Sequence, residues 1–144
     1  MNTKGLFEKT MMKIWAHRGC SQNYPENTMT AFKKACAIPG LVGIETDIQI
    51  SKDGHLMVFH DERVERTTDG NGFLRDYTYE ELKHLRIDAG DGKNERIPCI
   101  EELLDLLQDK VHEDAAFKLN IELKNSVYPY PSMEEKIVDL IHKR

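Results

Sequence analysis

One segment, residues 42–50, restricts the fold of this chain more than any other. Apolar residues and Thr46 occupy its even positions, whereas Glu45, Asp47 and Gln49 occupy the odd ones. An alternation with a period of two predicts a β-strand whose two faces differ in polarity. Asp53-Gly54 follows, and this dipeptide favours a hairpin turn into a second strand over residues 56–59.

The remaining periodic segments predict an order of strand, helix, strand, insertion, helix, strand and helix. Residues 14–16 read as a buried strand, and residues 28–37 read as a helix for which Asn27 or Thr28 can serve as the N-cap. Helices are also predicted near 100–108 and 132–142, and a third alternating strand over 117–124. This order indicates an α/β fold of repeated βα units around a parallel sheet.

Two stretches fall outside that pattern. Residues 1–12 read as an N-terminal lead, so that the domain itself covers 13–144. Residues 62–95 are polar and rich in glycine, and Thr78 with Glu81 resembles a capping box that opens a short helix. We interpret 62–95 as an insertion lobe between two core elements.

Composition excludes several classes of protein. The 144 residues suffice for one domain with a core. The formal net charge of −5 argues against a nucleic-acid partner. Three widely spaced cysteines suggest neither a disulfide framework nor a zinc site, and we expect a cytoplasmic location. No stretch approaches the roughly 20 apolar residues of a membrane span.

Carboxylates on neighbouring strands are the first candidate site. Glu45 and Asp47 leave the same face of one strand, with Cα atoms about 6.5 Å apart, and Glu122 lies on the polar face of the third strand. Oxygen ligands of this kind select a hard divalent cation, Mg²⁺ or Ca²⁺, over zinc. The alternative is that they are solvent-facing charges on a half-exposed sheet.

Histidines and basic groups adjoin the same strands. His17 and His60 each follow an apolar strand, where βα enzymes place catalytic groups, and a histidine pair can divide acid and base work. Arg18 offers a planar fork that fits phosphate oxygens, and Lys124 adds a positive charge. Structural histidines and ordinary salt bridges remain the alternatives for each residue taken alone.

Seven short motifs occur between residues 14 and 124. They are His17-Arg18-Gly19, Pro25-Glu26-Asn27-Thr28, Glu45-Thr46-Asp47, Asp53-Gly54, His60-Asp61, Arg66-Thr67-Thr68-Asp69-Gly70 and Ile121-Glu122-Leu123-Lys124. In this order they resemble the glycerophosphodiester phosphodiesterase family.

The resemblance implies part of a TIM-type (β/α)₈ barrel, namely its first three or so βα units with an insertion after strand 2. It implies a metal-dependent hydrolase that cleaves glycerophosphodiesters to glycerol 3-phosphate and an alcohol. Glu45, Asp47 and Glu122 match its metal ligands, His17 and His60 its acid–base pair, and Arg18 and Lys124 its substrate contacts. Cys99 stands where the family usually has a helix-capping threonine.

The mechanism that the resemblance implies has two steps. One histidine removes the proton of the substrate's own 2-hydroxyl, which attacks phosphorus, and the other protonates the leaving alcohol. Water then opens the cyclic phosphate with the roles exchanged. We assign His17 as the base and His60 as the acid in the first step.

Two alternatives to this enzyme stay open. One is a relative in the spider-toxin-like phospholipase D group, and the other is a non-catalytic remnant that binds a metal or a phosphate. A complete barrel takes about 250 residues, so we expect this chain to be truncated, marginally stable and weakly active or inactive. We also expect it to self-associate through open sheet edges.

Overall fold

The structure is a computed structural model and describes residues 13–144. The predicted N-terminal lead, residues 1–12, lies outside the described residues. The elements in chain order are β1 (Ile14–His17), α1 (Met29–Cys36), β2 (Leu41–Ile50), β3 (Leu56–Val58), a 3-10 helix (Leu74–Asp76), α2 (Tyr79–His84), β4 (Ile87–Asp88), β5 (Asn94–Glu95), α3 (Ile100–Glu113), β6 (Lys118–Leu123) and α4 (Met133–His142).

The long strand β2 organises the main sheet. It pairs in parallel with β1 and with β6, and its last residues pair antiparallel with β3 across the predicted hairpin. Both faces of β2 are covered: Ile44 and Ile48 are buried on one, and Asp47 and Gln49 on the other. The predicted α/β order with parallel strands is therefore confirmed, and its polar face is not a solvated one.

The first strand differs from its prediction in one respect. β1 forms where the sequence indicates, but Ile14 is 58% exposed and Trp15 is 41% exposed, whereas Ala16 is buried. Within the described residues β1 pairs only with β2, so its outer edge and part of its apolar surface are uncovered. The prediction of a buried strand was wrong for these two side chains.

Helix α1 begins where one of the two candidate caps lies. The Thr28 hydroxyl accepts from the Ala31 N–H at 3.3 Å, so Thr28 is the N-cap and Asn27 is free for another role. Gly19 has φ of +77°, and a Cβ there would meet the Ala31 carbonyl carbon at 2.7 Å. Because only glycine tolerates both conditions, the chain turns tightly after β1 and α1 packs against that turn.

Two groups of buried apolar residues stabilise the fold. The larger lies between the sheet and helices α1, α3 and α4, and includes Phe32, Ile44 and Leu103. The smaller joins β3 to residues 64–97 and includes Leu74 and Leu82.

The predicted capping box is present at α2, where Thr78 and Glu81 each accept from the other's N–H. The boundaries of the insertion lobe, residues 62–95, stay a prediction.

None of the helices between residues 13 and 144 combines the length and the apolar composition that crossing a membrane requires.

Candidate active site

Strand register brings the sequence motifs together at one end of the sheet. His17 of β1 is the register partner of Glu45, and Glu122 of β6 is the register partner of Asp47. Register partners in a parallel pair project from the same face. The polar face of β2 is therefore flanked by polar residues from both neighbouring strands.

The three predicted metal ligands converge. Glu45, Asp47 and Glu122 each offer a carboxylate oxygen, and these oxygens all lie within 4.8 Å of one another. Asp47 is fully buried, Glu45 is half-buried and Glu122 is exposed. Asp47 is therefore not a solvent-facing charge on a half-exposed sheet. The acidic cluster is accessible to solvent on the side of Glu122.

Two cations balance the buried Asp47 carboxylate. Arg18 Nε lies 3.2 Å from its Oδ2, and Lys124 Nζ lies 3.1 Å from its Oδ1. Lys124 Nζ also contacts Glu122 Oε1 at 2.6 Å. Asp47 Oδ1 and Arg18 Nε are nevertheless buried without a well-oriented hydrogen bond. The Asp47 oxygen therefore keeps unused acceptor capacity for a ligand.

The pKa values of Glu45 and Lys124 are both raised, for different physical reasons. Burial raises the pKa of Glu45, and the nearby Asp47 charge raises it further. For Lys124, burial acts to lower the pKa, but its bonds to Glu122 and Asp47 outweigh burial and raise it. A cation bound beside Glu45 would favour its ionised form.

Asn27 fixes Asp47 from the loop after β1, a role that sequence reasoning missed. It is 3% exposed and has φ of +56°. Its amide donates to Asp47 Oδ2 at 2.9 Å, and its carbonyl oxygen accepts from the Thr46 hydroxyl at 2.9 Å. The sequence signal was Asn27 itself, because asparagine tolerates the left-handed region better than most residues.

His17 lies at the carboxyl end of β1, beside the acidic cluster. Its Nε2 is 3.7 Å from Glu45 Oε2, and its side chain is 65% exposed. The next residue, Arg18, donates its backbone N–H to the same Glu45 carboxylate at 3.2 Å. The structure therefore places the first predicted histidine next to a predicted metal ligand, with its ring open to solvent.

His60 follows β3 and is held by its neighbours. The preceding residue, Phe59, donates its N–H to the Asp47 carbonyl at 3.0 Å, which ties this strand end to β2. The side-chain amide of buried Gln49 donates to the His60 carbonyl at 3.0 Å. His60 Nδ1 lies 2.5 Å from Asp61 Oδ1. Both the backbone and the ring of His60 are thus positioned relative to β2.

A charged network outside the predicted site residues extends from His60 to Arg18. Arg66 contacts Asp61 on one side and Glu26 on the other, and Glu26 also contacts Arg18 Nη1 at 3.1 Å. Hydrogen bonds from Arg66 lower the pKa of Asp61 and of Glu26 against the opposing effect of burial. These three residues belong to motifs visible in the sequence, but no spacing rule predicts that they meet.

The acidic cluster fits a divalent cation on the evidence of its own atoms. Its donors are all carboxylate oxygens, which Mg²⁺ and Ca²⁺ prefer. The Asp47 oxygen that lacks a well-oriented hydrogen bond adds an unsatisfied buried acceptor. Chemically, the arrangement can hold a cation beside the Arg18 guanidinium and the His17 imidazole.

Comparison with known protein families gives one clear match. The sequence profile described as the glycerophosphoryl diester phosphodiesterase family matches residues 17–144. A glycerophosphodiester phosphodiesterase of Bacillus altitudinis is 50% identical over 136 residues, covering 91% of this chain and 53% of the relative. One from Caldanaerobacter subterraneus subsp. tengcongensis is 48% identical over 131 residues, covering 89% and 51%. The chain spans about half the length of these curated relatives.

Solved structures agree in fold. The glycerophosphodiester phosphodiesterase of Agrobacterium tumefaciens str. C58 superposes with a TM-score of 0.73 at 32% identity, covering 92% of this chain and 54% of the other. An Oleispira antarctica phosphodiesterase in complex with the product sn-glycerol-3-phosphate gives 0.71 at 32% identity, with 92% and 51% covered. The neighbours are TIM-type barrels, and the predicted partial barrel is confirmed at this level.

Proposed function

The chain belongs to the glycerophosphoryl diester phosphodiesterase family, and we propose that it carries the metal-binding and acid–base half of such an enzyme's active site. The reaction would cleave a glycerophosphodiester to glycerol 3-phosphate and an alcohol. The convergence of Glu45, Asp47 and Glu122 within 4.8 Å, beside Arg18 and Lys124, is the single observation that carries the proposal. The product bound to the Oleispira antarctica relative supports the substrate class.

Each charged residue has a proposed task in substrate binding. Glu45, Asp47 and Glu122 would hold a divalent cation, Mg²⁺ or Ca²⁺, which when bound neutralises charge on the phosphoryl oxygens. Arg18 would contact the same oxygens through its planar fork, and Lys124 would add a second positive charge. Asn27 would keep the Asp47 carboxylate in place, since it already donates to that group.

The two histidines would move the protons. His17 would accept the proton of the substrate's own 2-hydroxyl as that oxygen attacks phosphorus, and His60 would donate a proton to the leaving alcohol. In the second step water would open the cyclic phosphate, with His60 as the base and His17 as the acid. The exposed ring of His17 and the anchored ring of His60 support separate roles.

Release of glycerol 3-phosphate from a glycerophosphodiester tests this proposal. We expect weak turnover with Mg²⁺ or Ca²⁺, its loss in EDTA, and a decrease of about 10²- to 10⁴-fold in His17→Ala and His60→Ala. His142→Ala, at the exposed end of α4, is the matched control and should retain the rate of the parent chain. Activity that survives both the chelator and the two substitutions would rule out the proposed chemistry.

A non-catalytic remnant is the second candidate, because the chain spans only about half of its relatives. Calorimetric titration with Mg²⁺, Ca²⁺ and sn-glycerol 3-phosphate separates the two candidates. Binding of cation and phosphate without turnover would identify a remnant.

We also propose a cytoplasmic location, which the three free thiols at Cys20, Cys36 and Cys99 support.

A further inference from the structure

Arg66 joins the two ends of the site, and its contacts suggest more than a surface salt bridge. We propose that Arg66 is a positioning residue: through Asp61 it fixes the ring of His60, and through Glu26 it fixes the guanidinium of Arg18. The proposal rests on the proposed function, because it concerns the same histidine and the same phosphate contact. Arg66 itself would not touch the substrate.

The contacts on the His60 side determine which ring nitrogen carries a proton. A carboxylate only accepts hydrogen bonds, so the 2.5 Å contact between Asp61 Oδ1 and His60 Nδ1 requires the proton on Nδ1. Arg66 donates from Nε to Asp61 Oδ2 at 2.5 Å and from Nη2 to Oδ1 at 3.0 Å. This two-point contact prevents the Asp61 carboxylate from rotating, and Nε2 of His60 is left for proton transfer.

The contacts on the Arg18 side have the same form. Arg66 donates to Glu26 from Nη1 at 3.1 Å and from Nη2 at 2.6 Å. Glu26 Oε1 in turn accepts from Arg18 Nη1 at 3.1 Å. Because Arg66 shares the Glu26 charge, Arg18 is oriented by Glu26 but is not fully neutralised by it. A partly neutralised guanidinium can still bind a phosphate oxygen.

The chemistry of arginine suits this bridge. Arg66 is 40 positions from Glu26 and five from Asp61, so the bridge joins two separate loops of the fold. A guanidinium presents donors on two edges and can engage two carboxylates at once, whereas an ammonium is a point charge. Networks of bidentate pairs are the exception to the rule that exposed salt bridges contribute little.

A neighbouring arginine provides a matched control. The Arg63 side chain is 51% exposed and that of Arg66 is 49% exposed. Arg63 pairs with Glu65 only two residues away and has no contact with Glu26 or Asp61 among the described ion pairs. Arg63→Met therefore removes the same charge from the same segment without breaking the bridge.

The first experiment observes the histidine ring directly. With ¹⁵N-labelled histidine, long-range proton–nitrogen spectra of the parent chain should show His60 protonated on Nδ1, with a slowly exchanging proton. We expect Arg66→Met to lose that slow proton and Arg63→Met to keep it. Arg66→Lys should change in the same direction by less, and it decides the question if Arg66→Met fails to fold. An unchanged His60 signal in folded Arg66→Met or Arg66→Lys would overturn the proposal.

The second experiment measures affinity for sn-glycerol 3-phosphate by calorimetry in the presence of Mg²⁺. We expect Arg66→Met to bind about tenfold more weakly than the parent chain, since Glu26 would then neutralise Arg18 more completely. Arg63→Met should bind like the parent. Equal affinity in Arg66→Met and the parent would refute the Arg18 half of the proposal. If the parent chain itself does not bind, the proposed function fails, and the spectra still decide the role of Arg66.

Discussion

At the scale of single residues, Asp47 and Glu45 lie on one strand but differ in burial and in how neighbouring groups compensate their charges. Asp47 is fully buried, but it contacts Arg18, Lys124 and the Asn27 amide. Among residues 13–144, the hydrogen-bonding groups near the Glu45 carboxylate are the exposed imidazole of His17 and the Arg18 backbone N–H. The Asp47 charge is therefore compensated within the chain more fully than the Glu45 charge is.

This difference predicts opposite effects of two isosteric substitutions in EDTA. Asp47→Asn removes the buried counterion that Arg18 and Lys124 share and leaves each cation with a more exposed partner, Glu26 or Glu122. We expect it to lower the free energy of unfolding by about 3 kcal/mol. Glu45→Gln removes a carboxylate that burial and Asp47 both disfavour, and we expect it to leave stability unchanged or raise it by less than about 1 kcal/mol. Urea unfolding of both variants checks this, and equal destabilisation would contradict it.

The Arg66 bridge predicts an acid-sensitive stability. Glu26 and Asp61 have pKa values lowered from 4.5 and 3.8, with the Arg66 hydrogen bonds as the largest cause. A lowered folded pKa means that the stabilisation is complete above the ordinary values and is lost as the pH falls through the folded ones.

We therefore expect the parent chain to lose more unfolding free energy than Arg66→Met when the pH falls from about 6 to about 3. Urea unfolding at a series of pH values measures this. Arg63→Met serves again as the control and should follow the parent chain. Parallel pH dependences in the parent and Arg66→Met would show that the bridge does not stabilise the fold.

At the scale of elements, helix α3 begins without a side-chain cap. Cys99 is its N-cap residue and its side chain caps no N–H, although Glu102 accepts from the Cys99 N–H at 3.1 Å. Burial raises the pKa of the Cys99 thiol to about 11, so the sulfur stays protonated and packs with the apolar residues around it. The Cys99 thiol also donates to the Glu102 carboxylate at 3.5 Å, and a thiol is a weaker acceptor than a hydroxyl for the N–H groups of the first turn.

Completing the cap should stabilise the chain. We expect Cys99→Thr to raise the free energy of unfolding by about 1 kcal/mol, because the hydroxyl would accept an N–H from the first turn and the methyl would keep the apolar contact. Cys99→Ala is the control, since it removes the thiol without adding an acceptor. If Cys99→Thr is no more stable than Cys99→Ala by thermal or urea unfolding, a side-chain cap at this position does not contribute to the stability of the chain.

At the scale of the whole molecule, the main sheet ends in open edges. Within residues 13–144, neither β1 nor β6 pairs with a strand other than β2. Ile14 and Trp15 are exposed on β1, and Val111 and Ile141 are exposed on the helices near β6. Unpaired strand edges with apolar neighbours favour contacts with other chains.

We therefore expect the chain to self-associate as its concentration rises. Light scattering after size exclusion should give a mass above that of one chain, and fluorescence of Trp15, the single tryptophan, should shift to shorter wavelength. Ile14→Lys places a charge on the exposed edge and should weaken association through β1. A monodisperse monomer in the parent chain at every concentration would contradict this expectation.

The local patterns in the sequence were sufficient for most of the elements. The alternation in residues 42–50, the Asp53-Gly54 turn and the Thr78 capping box each depend on neighbours within a few positions, and each is present in the structure. The predicted helix near residues 100–108 is shorter than α3, which continues to Glu113. Its last turns have few buried residues, so the apolar pattern that predicts a helix fades there. The exposure of Ile14 and Trp15 on β1 was not predicted, because it depends on which elements pack against the strand.

The candidate site also has a part that local sequence patterns predict and a part that they do not. Period-two geometry alone predicts that Glu45 and Asp47 share a face, and the motifs supplied Glu122, His17 and His60. Only the register of β1 and β6 on β2 decides that His17 and Glu122 meet the two carboxylates of β2.

The Asn27 contact with Asp47 and the bridge through Arg66 were beyond sequence reasoning. Their partners are 20 and 40 positions away, and distances of that kind are set by packing of whole elements. Local backbone preference acts over a few residues, whereas charge pairing acts through space. The sequence by itself therefore determined which groups are present and which face each occupies, and the tertiary structure alone decided which of them meet.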